Sequence, residues 1–254
     1  GVYRVPDGDA VESAVASALA FGYRHIDTAA LYRNERGVGR AVAASGIDRP
    51  DLFITTKLWN SDQGYESTLV AIDKSLAKLG LDYVDLYLVH WPKPEHTKET
   101  WRAMEEIRQS GKARAIGVSN FLPDHLDQLA ETATVLPSIN QIEFHPHLQS
   151  PELVAYCEDH NIVLEAWSPL KAGRILDDPE LRLLADAHGV TVPQVVLRWM
   201  LQRGIVTIPK SVTPLRIARN ADLYGFELSH DEVAAINKMD RSDRVGPDPA
   251  TFDF

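Results

Sequence analysis

The feature that most limits what this chain can become is a regular alternation. Short apolar runs rich in β-branched and aromatic residues are separated by stretches whose apolar residues recur with helical spacing. Seven runs are legible, at 25–27, 52–56, 84–89, 115–118, 139–144, 162–167 and 205–208, and Gly1-Val2-Tyr3-Arg4-Val5, ahead of a helical stretch at 9–20, supplies an eighth. Runs this short and this continuously apolar read as strands covered on both faces, which is the habit of parallel sheets flanked by helices. Parallel strands joined through helices bring every C-terminal strand end to one side, where the connecting loops carry chemistry in barrels and open sheets alike. Eight such units in 254 residues predict a closed (β/α)8 barrel, with residues 1–254 forming a single domain.

The helical stretches support that frame. Leu69, Ile72, Leu76 and Leu79 mark one buried stripe, and Val192, Val195, Val196, Trp199 and Met200 another. Start signals stand at Ser150 before Pro151, at Asp178 before Pro179, and at Ser229, whose spacing to Glu232 makes a capping box. Two helical patterns, 178–188 and 193–203, fall between the sixth and seventh runs, so one helix is extra to the barrel repeat. A further helix is expected over 229–239, followed by an irregular tail at 241–254 that is either a frayed end or a substrate loop.

Composition excludes several classes. A formal net charge of -10 argues against a general polyanion binder, so no nucleic-acid partner is expected, although a local basic pocket could still hold a phosphate. Cys157 is the only cysteine, which rules out an intrachain disulfide and a cysteine-rich metal site and makes the cytoplasm the default location. No apolar run approaches the roughly 20 residues of a membrane span, and no leader pattern is present. Because the chain opens on Gly1 without methionine, an N-terminal piece is expected to be missing, and targeting information could have gone with it. A monomer is expected.

Four polar residues sit at or just beyond strand ends: Asp27, Tyr32 five residues further on, Lys57 and His90. A phenol ionises near pH 10, so it is a sluggish proton donor unless a neighbouring ammonium stabilises the phenolate left behind. Lys57 can supply that ammonium, and Asp27 can hold it in place and keep it charged. His90, at the next strand end, can hydrogen-bond a carbonyl oxygen as negative charge builds on it. Such a set protonates an oxyanion, which is half of a carbonyl reduction; the hydride must come from a cofactor, because no side chain supplies one. Taken singly, Asp27 and Lys57 read equally well as a structural ion pair, Tyr32 as a loop residue and His90 as a core histidine. Taken together on consecutive units, they favour catalysis.

On these residues the chain resembles the aldo-keto reductases, from Gly1 to about Met239. Gly22-Tyr23-Arg24-His25-Ile26-Asp27-Thr28-Ala29 with Tyr32 and Asn34-Glu35, Thr56-Lys57-Leu58-Trp59, and Leu86-Tyr87-Leu88-Val89-His90-Trp91-Pro92 are similar to the active-site segments of that family, in order. The resemblance implies Tyr32 as general acid supported by Lys57 and Asp27, with His90 positioning the carbonyl. Gly117-Val118-Ser119-Asn120-Phe121, Asn140-Gln141-Ile142-Glu143, Ala166-Trp167-Ser168-Pro169-Leu170 and Ile208-Pro209-Lys210-Ser211 resemble the cofactor cleft. It implies that Ser119, Asn120 and Gln141 bind the nicotinamide carboxamide and that Trp167 stacks on the ring, a tryptophan like that of the bacterial 2,5-diketo-gluconate reductase branch. Ser168, Leu170 and Val212 complete the implied cofactor contacts. Lys210, Ser211 and Arg216 match positions that hold a 2'-phosphate, which implies NADPH over NADH, and a guanidinium and an ammonium suit that dianion. Asn220 fits the pattern too, whereas Arg219 stands where many relatives carry a glutamate against the adenine.

Tyr3, Trp59 and Trp91 align with the aromatic walls of the substrate pocket, which favour flat or modestly apolar carbonyl compounds. The short loop at 92–99 implies an open pocket and broad specificity. No residues correspond to the N-terminal hairpin that plugs the barrel floor in the family. The implied activity is NADPH-dependent reduction of aldehydes and ketones, among them small dicarbonyls and sugar-derived or aromatic carbonyls. The competing reading is an NADP(H)-binding sensor or accessory subunit with little turnover, and a third is a metal-dependent barrel hydrolase.

Other signals carry less. Gly37 and Gly39 with Ala41 mimic a fragment of a dinucleotide fingerprint, but they fall inside a helical stretch with no strand directly before them. His145 and His147 flank Pro146 without a third ligand at motif spacing, so no metal is expected. His25 is expected to be structural. Ser119 and Ser168 lack a nucleophile-elbow pattern, which leaves hydrolysis by an activated serine without support.

Overall fold

The computed structural model describes residues 1–252; Asp253 and Phe254, the end of the expected tail, lie outside the described residues. Seven strands run parallel, in chain order, around one curved sheet: β1 (His25–Asp27), β2 (Phe53–Leu58), β3 (Val84–Val89), β4 (Ala113–Ser119), β5 (Ile139–Glu143), β6 (Val163–Trp167) and β7 (Val206–Thr207). The helices are α1 (Asp9–Ala20), α2 (Glu35–Ala44), α3 (Tyr65–Leu79), α4 (Thr97–Gln109), α5 (Pro123–Ala130), α6 (Pro151–Asp159), α7 (Pro179–His188), α8 (Val192–Gln202), α9 (Pro214–Ala221) and α10 (His230–Asn237). This is the (β/α)8 fold, with two helices between β6 and β7 as the sequence pattern predicts.

The expected eighth strand is not formed. Residues 1–5 instead make a turn at Tyr3 and Arg4, with Arg4 at φ 58° and the Val5 N–H returned to the Val2 carbonyl. They still occupy the gap between the last and first strands: Gly1 N donates to Pro209 O (3.2 Å) and Val2 N donates to Asp27 O (3.0 Å). Asn34, buried beneath them, donates from Nδ2 to both the Val2 and Val5 carbonyls, at 3.0 and 2.9 Å. Side-chain bonds thus replace the ladder a strand would have formed.

Helix starts follow the sequence signals with one exception. Asp178 accepts from the Glu180 and Leu181 amides, and Ser229 and Glu232 make the reciprocal box. Ser150 precedes α6 as expected, yet it sits at φ 45° and its side chain caps nothing, so Pro151 alone marks that start. Gly37 and Gly39 have a packing role. A Cβ on Gly39 would lie 2.1 Å from the Leu79 carbonyl oxygen, and one on Gly37 would lie 2.3 Å from Val11 Cγ1, so the glycines let α2 press against the end of α3 and against α1.

The core fills the space between sheet and helices, with Ile54, Leu58 and Tyr87 sealed from solvent and joined from the helical side by Ile72, Trp101 and Trp199, while Leu86 and Leu88, in register with Thr55 and Lys57, are buried on the sheet's other face. Among the described residues, no helix is long and apolar enough to cross a membrane. Lys57 belongs to β2 rather than following it, one residue before its end, because that strand runs on to Leu58.

Candidate active site

The C-terminal strand ends bring Asp27, Lys57 and His90 into one mouth. Asp27 is the last residue of β1, and Ile26 and Asp27 pair with Ile54 and Thr55 of β2, so the carboxylate and the Lys57 ammonium project into the barrel from adjacent strands. Lys57 Nζ donates to Asp27 Oδ2 at 2.7 Å and to the Thr28 carbonyl at 2.9 Å, and both side chains are buried. Burial alone would neutralise each group. It opposes the charge on both, yet their mutual attraction and hydrogen bond win: Asp27 is held below its ordinary pKa and Lys57 above its own.

Tyr32 stands on a single 3-10 turn after β1, half-buried, with its ring packed between Tyr3 (centroids 5.0 Å apart) and His90 (5.7 Å). Lys57 Nζ lies 5.1 Å from the Tyr32 ring centre. From the sequence, this ammonium is expected to make the phenol more acidic. It does pull downward, but burial outweighs it and the phenol is pushed up to about 12. Tyr32 therefore holds its proton throughout the neutral range. Burial, reinforced by the Lys57 charge, drops His90 to about 3, so its imidazole is neutral. His90 Nδ1 is sealed without a partner among the described residues, and Trp59 packs edge-on against the ring at 5.3 Å.

Beside this group, Ser119, Asn120, Gln141 and Trp167 form a connected patch. Ser119 at the end of β4 is in register with Gln141 of β5 and donates from Oγ to its carbonyl. Asn120 has φ 65°, donates to His90 O and Ser119 Oγ, and accepts from Trp167 Nε1 at 2.8 Å. Its side-chain atoms are thereby committed within the protein. Trp167 is half-buried at the end of β6, and Ser168 at φ 49° turns the chain away toward Leu170. The remaining candidates lie around the start of α9: Lys210, Val212 and Arg216 exposed, Ser211 half-exposed, Asn220 buried. Ser211 Oγ accepts from the Thr213 amide, and Ser211 and Asn220 border one small cavity with Gly1 and Tyr23. No acidic side chain occupies the first turn of α9, and neither Lys210 nor Arg216 has an ion-pair partner among the described residues.

Tyr3, half-exposed, packs on Tyr32 and Trp59 on His90, while the tail packs on the buried Trp91. Phe252 packs on Trp91 with ring centres 5.0 Å apart. The tail is anchored by Glu143, whose carboxylate accepts the Val245 and Gly246 amides at 2.7 and 2.9 Å, by Lys171 on Asp243, and by Arg241 on His147 Nδ1. Gly246 lies against Trp167 so closely that a Cβ there would come within 2.4 Å of the indole. Over its described part the segment is thus an anchored strap packed on Trp167 and Trp91 rather than a frayed end.

Of two further buried carboxylates, Glu143 stands in the sequence only as the last residue of a cleft motif and Glu165 is not singled out there. Glu143 and Glu165 interrupt apolar runs, and a charged residue inside a covered strand is the signal that could have found them. Glu165 accepts from Gln141 Nε2 at 2.7 Å and lies 3.5 Å from His25 Nδ1. His25 also meets Thr55 Oγ1 at 3.0 Å, and burial lowers it to about 4, so it is a neutral structural histidine. His145 and His147 are engaged by Glu143 and Asp178, and no group of three or more metal-ligating side chains occurs among the described residues.

Comparison with known proteins agrees with this geometry. Residues 3–241 match the model of the Aldo/keto reductase family. A glyoxal reductase of Bacillus subtilis (strain 168) is 51% identical over 249 residues, spanning 98% of this chain and 90% of that protein. A crystal structure of an aldo/keto reductase from Brucella melitensis superposes with a TM-score of 0.91 at 50% identity, covering 94% of this chain and 93% of the other. A Bombyx mori aldo-keto reductase solved in complex with NADP gives 0.88 at 41% identity, covering 96% and 88%.

Proposed function

The chain belongs to the aldo/keto reductase family, and from that premise we propose that it reduces aldehydes and ketones to alcohols with NADPH, using Tyr32 as the proton donor. The observation that carries the mechanism is the buried Asp27–Lys57 pair, 2.7 Å apart, set beneath a phenol that stays protonated at neutral pH. The residues present fit the dinucleotide: Gln141 Oε1 accepts no hydrogen bond among the described residues, Trp167 offers a half-exposed aromatic face, and Lys210 and Arg216 flank a helix start with no acidic neighbour in its first turn. When bound, the nicotinamide supplies the hydride that the carbonyl carbon receives. His90, neutral, orients the carbonyl oxygen through a ring N–H. Tyr32 gives its hydroxyl proton to that oxygen as charge accumulates, Lys57 stabilises the phenolate that remains, and Asp27 fixes the ammonium in place.

The aromatic walls of Tyr3, Trp59, Trp91 and Phe252 support flat, small carbonyl compounds as substrates. The relative named as a glyoxal reductase supports small dicarbonyls among these. Loss of reduced-nicotinamide absorbance should follow addition of glyoxal, methylglyoxal or an aromatic aldehyde, faster with NADPH than with NADH. Tyr32→Phe should lower kcat by about 10²–10⁴ while leaving NADPH affinity and the melting temperature near wild type. Undiminished turnover in that variant, or no turnover with any carbonyl, rejects the reading.

A further inference from the structure

The Gln141 side chain is committed on one side only. Its Nε2 donates both protons, one to Asp27 Oδ2 at 2.9 Å and one to Glu165 Oε2 at 2.7 Å. An amide atom placed between two carboxylate oxygens must be the nitrogen, so the orientation of this amide follows from its neighbours. Its oxygen accepts nothing among the described residues and is not among the sealed polar atoms. Asp27 alone would anchor one N–H and leave the other without an acceptor in a buried setting.

We propose that Glu165 is a positioning residue: with Asp27 it turns the Gln141 NH2 inward and its carbonyl oxygen toward the cleft, so the site selects a dinucleotide whose ring carries an amide donor rather than a carboxylate. The inference rests on the NADP(H) reading above and deepens it. Glu165 Oε1 makes no hydrogen bond among the described residues and lies 3.5 Å from His25 Nδ1, so the hydrogen bond from Gln141 is the one this carboxyl makes there. Burial and the Asp27 charge raise its pKa to about 7, so both protonation states are populated near neutrality. Either state serves, since a proton carried on Oε1 leaves Oε2 free to accept from Gln141. A carboxylate-bearing ring would instead face the Gln141 oxygen, with the Asp27 and Glu165 carboxylates behind it, and would be repelled.

The test measures affinity without turnover. Purified wild type, Glu165→Met and Glu165→Gln are titrated calorimetrically with NADP+ and with its deamido analogue, nicotinic acid adenine dinucleotide phosphate. Wild type should prefer NADP+. Glu165→Met, which removes the acceptor at similar volume, should lose about tenfold of that preference, mainly through weaker NADP+ binding. Glu165→Gln should keep it, because its own carbonyl can accept from Gln141. Should Glu165→Met fail to fold, Glu165→Val carries the same expectation. An unchanged preference in the apolar variant, or an equal loss in Glu165→Gln, overturns the role of Glu165 alone. Wild type that binds neither dinucleotide overturns the cofactor reading as well.

Discussion

Removing the Lys57 ammonium should expose how much of this site is held by one buried ion pair. Lys57→Met keeps most of the stem volume but deletes the donors to Asp27 Oδ2 (2.7 Å) and Thr28 O (2.9 Å). Asp27, 2% exposed, then keeps only the Gln141 donor at 2.9 Å. Breaking a buried pair on one side typically costs about 3–5 kcal/mol, chiefly through the charge left unpaired. Asp27 can escape part of this by taking a proton, since burial is no longer opposed by the ammonium. In wild type its pKa is depressed, so the stabilisation it contributes is present above the ordinary carboxylate pKa and fades as pH falls through the folded value. In the variant burial favours the neutral carboxyl, so the deficit should be largest near neutrality and shrink as pH falls toward about 4. Urea unfolding of wild type, Lys57→Met, Asp27→Asn and the double variant across that range gives a complete cycle. The double variant, with neither charge buried, should lose less than the sum of the singles by at least about 2 kcal/mol. A Lys57→Met cost under about 1 kcal/mol at neutral pH, or strict additivity, would refute the argument.

Gly246→Ala places a methyl 2.4 Å from the Trp167 indole and 3.2 Å from Glu143 Oε2, so either the tail or the indole must move. With local strain of about 1–3 kcal/mol, NADPH affinity by fluorescence titration should fall roughly tenfold or more with little change in melting temperature, and unaltered affinity would count against the strap. Gly39→Ala gains about 1 kcal/mol of helix propensity but drives a methyl to 2.1 Å from a backbone oxygen. Net destabilisation in urea is expected, and a stabilised variant would show the α2–α3 contact to be loose. Glu165 carries a folded pKa raised from 4.5 to about 7 by burial and then by Asp27, in a cluster with Lys57 and His25. The folded form therefore binds more protons between those values, and its stability should decline by about 3 kcal/mol as pH rises through that window. Glu165→Gln should flatten the decline in melting experiments, and equal slopes would contradict the assignment.

Alternating runs and helical stripes are local patterns, so seven strand positions, the extra helix and the grouping of Asp27, Tyr32, Lys57 and His90 were legible from residue order alone. Asp27, Lys57 and His90 could be grouped in advance because parallel connection sends all strand ends to one side, whatever the separation in sequence. The substitution of a turn for the eighth strand was not legible, because Asn34 satisfies the Val2 and Val5 carbonyls from outside the segment. Nor was the net direction at Tyr32, where local reasoning names the ammonium but only the packed environment shows that burial outweighs it. The anchoring of the tail by Glu143, the inward lock on Gln141 by Glu165 and the need for glycine at 39 likewise depend on approaches between distant residues. Such contacts have no period in the sequence, since they arise when side chains from different units compete for the same buried volume and the same few donors.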